Sequence, residues 1–200
     1  MLVLHYTGME DASGALARLC DRASQVSAHY LIDEDGGVHR LVDESNRAWH
    51  AGLGFWRGER DINGRSIGIE LANPGHEFGY REFPELQMQA LIDLSRDILG
   101  RHTIPARNVV GHSDIAPDRK LDPGEFMDWP RLAEARIGLW PQEAPEPSKN
   151  PLQALAACGY DISTRHVISA FQRRYRPACI DGLADPHTCR IIAGLVASLA

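Results

Sequence analysis

Along the first 140 residues, apolar positions come in short runs separated by turns bearing Gly, Asp and Pro. LVLHYT at 2–7 is apolar enough for a buried strand, and in ALARLCDRAS the helical spacing of Leu16 and Leu19 predicts a helix after it. In HYLIDEDGGVHRLVD the Asp-Gly-Gly turn at 35–37 lies between the runs Tyr30–Ile32 and Val38–Val42, the pattern of a hairpin. SIGIELAN sets Ile67, Ile69 and Leu71 on one strand face and Ser66, Gly68 and Glu70 on the other. The strongest helical pattern is PELQMQALIDLSRDILGRH: Pro84 suits a first turn, Leu86, Ala90, Leu91, Leu94, Ile98 and Leu99 share a face, and Gly100 suits the end. NVVGH at 108–112 reads as a short strand delivering His112 at its end, and DWPRLAEARIG as a short closing helix.

Strands and helices interleave, so the expected class is α/β, a mixed central sheet with helices on its faces. WPQEAPEPSKNP at 140–151 carries four prolines and reads as an extended linker. Beyond it three helical faces are expected, from Leu152, Leu155 and Ala156, from Val167, Ile168 and Phe171, and from Thr188, Ile191, Ile192 and Leu195. In so small a unit Phe171 and Tyr175 are expected in the core. The expected organisation is a domain over 1–140, a Pro-rich linker over 141–151 and a helical domain over 152–200, too small to be an enzyme alone.

Bulk properties narrow the partners. The 200 residues are 44% hydrophobic with a net charge of −6, and Lys and Arg form no basic stripe, which argues against nucleic acid. No run approaches the roughly 18 apolar residues of a membrane span. The start, MLVLHYTGMEDASG, lacks a basic n-region, so as it stands the chain reads as cytoplasmic. Because a strand begins directly after Met1, an upstream segment is the alternative, with a periplasmic or outer-membrane-associated protein as its consequence. Cys20, Cys158, Cys179 and Cys189 form no CxxC pair; reduced thiols are expected, with Cys179–Cys189 the pairing open to an oxidising compartment. Monomer is the default oligomeric state.

Candidate chemistry concentrates in GHSDIAPDRKLDPG at 111–124, where charge crowds into a Pro- and Gly-punctuated segment. A solvated loop is one reading. The other is a metal held by His112 and Asp122 with Lys120 facing what that metal polarises. His5, at the end of the first strand, is a third candidate ligand or a packed strand-end histidine. Glu70, inside an apolar strand, needs a partner, a metal or a wet cleft unless it sits on a solvent face. Trp49 and His50 in RAWHAG, and His29 with Tyr30, are candidates to line a cleft.

VLHYT at 3–7, AWHAG at 48–52, SIGIEL at 66–71 and VGHSDIAPDRKLDPG at 110–124 together resemble the zinc N-acetylmuramoyl-L-alanine amidases. This group includes bacterial AmpD and AmiD, amidase-type phage lysozymes and peptidoglycan-recognition proteins. GFWRGERDINGRSIGIEL looks closest to the AmiD branch. The resemblance covers about residues 2–140 and implies Zn²⁺ on His5, His112 and Asp122, Glu70 as general base and then acid, and Lys120 facing the oxyanion. It further implies hydrolysis of the amide between the lactyl group of N-acetylmuramic acid and L-alanine, with peptidoglycan or muropeptide fragments as partners. Phage lysozymes carry a cysteine as third ligand and a tyrosine before the histidine at the His29 position; Asp122 and Ala28 stand there instead, as in the branch relying on a glutamate. The C-terminal LQALAACGY, AFQRRYRP and DGLADPHT resemble the peptidoglycan-binding type 1 domain, a three-helix module that implies avidity for a polymeric wall. A non-catalytic binding or sensing protein of the same fold is the alternative, opposed by an intact set of ligands plus Glu70 and Lys120. A zinc hydrolase of non-wall amides would have no use for the C-terminal module.

Overall fold

In the computed structural model, which describes residues 1–199, the chain enters through β1 (Leu2–Tyr6), passes α1 (Ala12–Cys20) and reaches the hairpin of β2 (Tyr30–Ile32) and β3 (Val38–Arg40). It re-enters the sheet as β4 (Ile67–Leu71), makes the single turn α2 (Gly75–Phe78) and runs along α3 (Glu85–Arg101). β5 (Val109–Gly111) leads without a break into α4 (His112–Ile115), and α5 (Trp129–Glu134) ends this part. The helices α6 (Pro151–Cys158), α7 (Val167–Tyr175) and α8 (Pro186–Ala197) follow. The sheet order is β3-β2-β4-β1-β5, parallel throughout except for the β2–β3 hairpin. This is the mixed α/β sheet expected from the interleaved pattern. No helix among the described residues is long and apolar enough to cross a membrane.

Strand alternation divides the side chains into two cores. Leu2, Leu4, Ile67, Ile69, Leu71 and Val109 point to the face covered by α3 and α5, where Leu91, Ile98 and Leu132 are fully buried. Val3 and Val110 point the other way, into a core completed by Ile115, Leu155, Tyr160, Phe171 and Ile192. That second core crosses the expected boundary at residue 140: the C-terminal helices cover the sheet instead of standing apart from it. The Pro-rich segment is strapped along α8 through Ala144 N–H to Arg190 O (3.1 Å) and Ser148 N–H to Cys189 O (3.1 Å). Gly194 makes room for the strap, since a Cβ there would meet Gln142 O at 1.8 Å.

Several local expectations shift. The buried stripe of α3 is Gln87, Met88, Leu91, Ile92, Ser95 and Ile98, whereas Leu86 is 63% exposed. The rotation accompanies Gln87, whose buried amide donates to Ile32 O (2.9 Å) at the end of β2 and to Ala72 O (3.0 Å) just beyond β4. Pro84 caps α3 from outside, and Gly100 lies within it, the cap being His102. β3 stops at Arg40, short of Val42. On α6, Leu155 and Cys158 are buried while Leu152 and Ala156 face solvent. All four cysteines are free thiols.

Glu44 joins the hairpin side to the end of α3, accepting from Tyr30 Oη (2.6 Å), Arg101 Nη2 (2.6 Å) and His102 Nε2 (2.7 Å). The Arg101 hydrogen bonds, against a burial cost and with help from Tyr30 and His102, hold its carboxyl at about 2 instead of 4.5. A depressed folded-state pKa stabilises the protein above the unfolded value, and the contribution fades as pH falls from 4.5 through about 2. Glu44→Gln should therefore lower stability at pH 7 by about 1–2 kcal/mol and flatten the acid side of the profile, checked by urea unfolding across that range.

Candidate metal centre

The site stands where the parallel strands end. β1 and β4 are in register with His5 opposite Glu70, and both residues belong to the sheet face of Val3. β5 stops one residue before His112, so its carboxyl end delivers that imidazole alongside His5. Ligand sites in open α/β sheets form at such carboxyl ends. The charged segment then folds back: Lys120 N–H and Arg119 N–H both donate to Ala116 O (3.0 Å each), and Ser113 N–H donates to Asp122 O (2.8 Å), which sets Asp122 beside His112.

Three atoms meet there. His5 Nδ1 lies 2.9 Å from His112 Nδ1 and 2.9 Å from Asp122 Oδ2, and His112 Nδ1 lies 3.0 Å from the same oxygen. All three residues are buried. Their outer hydrogen bonds reveal which nitrogens carry protons. Ser66 Oγ donates to Ile62 O (2.6 Å), so it accepts from His50 Nε2 (3.2 Å); His50 Nδ1 is then bare and accepts from His5 Nε2–H (2.9 Å). His5 Nδ1 is left as a lone pair. His112 Nε2–H donates to Ala51 O (2.9 Å), which in the neutral ring leaves Nδ1 as the lone pair.

With both rings in the neutral form that metal binding requires, two imidazole nitrogens and one carboxylate oxygen face one another. This donor set, with outer partners orienting each imidazole, could hold a divalent metal. Burial first, then His112, pulls His5 down to about 4, so at neutral pH its contact with Asp122 is not an ion pair. Burial works to raise Asp122, but His112 and His5 outweigh it and keep the carboxyl far below the usual range. Burial and then His5 hold His50 well below the imidazole range.

Glu70 and Lys120 line the same cleft, of about 910 Å³, as the three converging residues. Glu70 Oε2 is buried without a hydrogen-bond partner. Burial and then the Asp122 charge push this carboxyl well above its ordinary value, opposed by Lys120. Trp49, 53% exposed, also borders the cleft. His50 touches it too, yet both its ring nitrogens are committed to His5 and Ser66, so it serves from behind. His29 and Tyr30 do not reach the cleft. His29 is fully buried, accepting from Gly68 N–H (2.9 Å) and donating to Asn46 O (3.1 Å), while Tyr30 sits in the opposite core with its hydroxyl on Glu44. Residues not singled out as candidates include Ser66 and Tyr6, which lie within SIGIEL and VLHYT, and Arg18 and Phe78 on the cleft wall, which had no sequence signal.

The relay depends on a missing side chain, because a Cβ on Gly68 would lie 2.4 Å from His50 Cγ. Gly68→Ala should cost about 1–3 kcal/mol by overpacking. Combined with His50→Ala it should cost less than the two single changes summed, a coupling that a double-mutant denaturation cycle measures.

The N-acetylmuramoyl-L-alanine amidase family model matches residues 1–125. The chain is 39% identical to N-acetylmuramoyl-L-alanine amidase AmiD of Escherichia coli (strain K12) over 228 residues, covering 98% of this chain and 82% of that one. The structure of E. coli AmiD in complex with the substrate anhydro-N-acetylmuramic acid-L-Ala-D-gamma-Glu-L-Lys superposes with a TM-score of 0.88 at 38% identity, over 99% of this chain and 88% of that chain. AmpDh3 from Pseudomonas aeruginosa, in complex with anhydromuramic pentapeptide, gives 0.89 at 33% identity, over 100% and 91% of the two chains. With the family model matching residues 1–125 and these relatives matching nearly the whole chain in sequence and fold, the chain belongs to the N-acetylmuramoyl-L-alanine amidase family.

Proposed function

We propose that this amidase cleaves the bond between the lactyl carbonyl of N-acetylmuramic acid and the nitrogen of L-alanine, with a zinc ion held by His5, His112 and Asp122. The observation that carries the reading is the convergence of three lone pairs, two of them from imidazoles whose tautomers are set from behind. Softer and harder cations are less suited to two imidazoles and one carboxylate than zinc, for which this set with an open position is usual in hydrolases. When bound, the ion supplies Lewis acidity, polarising a carbonyl and lowering the pKa of water.

The chain's own groups supply the proton traffic. Glu70, raised in pKa and with an unpartnered oxygen, takes the proton of the attacking water and passes it to the departing alanine nitrogen. Lys120 presents its ammonium to the oxygen that becomes negative in the tetrahedral intermediate. Trp49 offers an exposed aromatic wall to the sugar or the stem peptide. Muropeptides are the proposed substrate class, supported by the relatives' complexes with anhydromuramyl peptides. The C-terminal helices, from their resemblance to a peptidoglycan-binding module, would add affinity for polymeric wall.

Purified protein should carry one zinc per chain, and dialysis against a chelator should abolish release of stem peptide from anhydromuropeptide, measured by mass spectrometry, until zinc is restored. His5→Ala should lose both metal and activity. Glu70→Gln and Lys120→Met should retain zinc and lose about 10²-fold or more in kcat. Full turnover in a metal-free preparation, or in Glu70→Gln, overturns the mechanism.

A further inference from the structure

Two of the charges in the 111–124 segment do not point at the cleft. Asp114 and Asp118 point away from it, into the C-terminal helices. Asp114 is 1% exposed, and each of its oxygens is engaged: Oδ1 accepts from Tyr160 Oη (2.7 Å), and Oδ2 from Arg174 Nη1 (2.7 Å) and Gly111 N–H (2.8 Å). Arg174, itself 4% exposed, also donates to Val109 O on β5 (3.1 Å) and lies over the Trp129 ring at 3.9 Å. One guanidinium from α7 thus ties together the strand before His112, the turn that contains it and α5. A second tie lies midway along the segment, where Asp118 accepts from His166 N–H (2.9 Å) and Arg165 N–H (3.2 Å), just before α7.

Asp114 lies two residues after His112 within the one turn of α4, and the stretch between His112 and Asp122 is fastened to the same helical unit at Asp114 and again at Asp118. A turn so short has little rigidity of its own. A module serving only to hold the enzyme near a polymer has no need of a buried charge reaching into this loop, and a buried ion pair is a poor source of net stability. What such a pair does provide is a single geometry, through directional hydrogen bonds that engage both Asp114 oxygens and both terminal nitrogens of Arg174.

We propose that the C-terminal helical unit is a positioning element of the metal centre, with Arg174 and Tyr160 fixing Asp114 and, through it, the aim of His112. The proposal rests on His112 being a zinc ligand, as inferred above. Arg174 and Tyr160 touch neither cleft nor substrate; they act through the loop. Outer groups of this kind typically change metal affinity about 10–100-fold when removed.

The test uses the full chain with Tyr160→Phe, which deletes one hydroxyl, Arg174→Met, Arg174→Lys and, as a packing control, Ile192→Ala in the same helical unit away from Asp114. Zinc dissociation constants are measured by competition with a chromogenic chelator, well below the melting temperature of every variant, alongside kcat and KM on anhydromuropeptide. Arg174→Met should weaken zinc binding about 10–100-fold and Tyr160→Phe about 3–10-fold, with kcat reduced and KM little changed. Arg174→Lys should recover part of the affinity, since an ammonium can still reach Asp114. Ile192→Ala should melt earlier yet bind zinc as the parent does. Parent-like zinc affinity in Tyr160→Phe and in whichever Arg174 variants fold, with only the melting temperature changed, overturns the proposal and leaves the helices as packing. A parent protein that binds no zinc instead overturns the metal reading itself, and the positioning role with it.

Discussion

The structure turns on an electrostatic conflict confined to a dry spot at the ends of three strands. Two imidazole nitrogens and a carboxylate oxygen are pressed to about hydrogen-bond distance, and in the neutral rings all three present lone pairs to one another. Left alone such an arrangement is unfavourable, and water is largely excluded from it. Its persistence depends on surroundings that specify each ring independently: the Ile62–Ser66–His50 chain for His5, and the Ala51 carbonyl for His112. Those same anchors leave the lone pairs no choice but to face inward. The site is therefore prepared by hydrogen bonds lying outside it.

A single sheet face serves both the site and its support. Along β1, Val3 enters the core shared with the C-terminal helices, and two residues later His5 enters the cleft. On β4, Ser66, Gly68 and Glu70 make one row: a hydroxyl that ends the relay, a space that admits His50, and the carboxylate nearest the chemistry. The period of two along each strand converts a hydrophobic end into a reactive end within a few residues.

Much of this was legible in the chain. Alternation in SIGIEL separated Ser66, Gly68 and Glu70 from the Ile67–Ile69–Leu71 face, and the hairpin at Asp35–Gly37 and the strand before His112 followed from local pattern. Four motifs in order then brought His5, His112 and Asp122 into one group, which spacing alone among nine histidines does not do. What escaped depends on three-dimensional partners. The rotation of α3 accompanies the bonds of Gln87 to two carbonyls, a polar demand that a hydrophobic stripe does not register. His29 stood as a cleft candidate; its ring is instead consumed by the Gly68 amide and the Asn46 carbonyl. The partnership of Asp114 with Arg174 spans 60 residues and has no local signature at all.

The strap along α8 has a bearing on how any surface-held form of the molecule would operate. Twelve free residues rich in proline could stretch about 37 Å, at about 3.1 Å each, and would let a hydrolase graze over a wide arc from one anchoring point. Docked against Arg190 and Cys189, with Gly194 admitting it closely, that length is not free. Mooring by the helices would then dictate heading more than radius: the mouth of the cleft would meet a polymer strand at one angle, and progress would come from letting go and landing again.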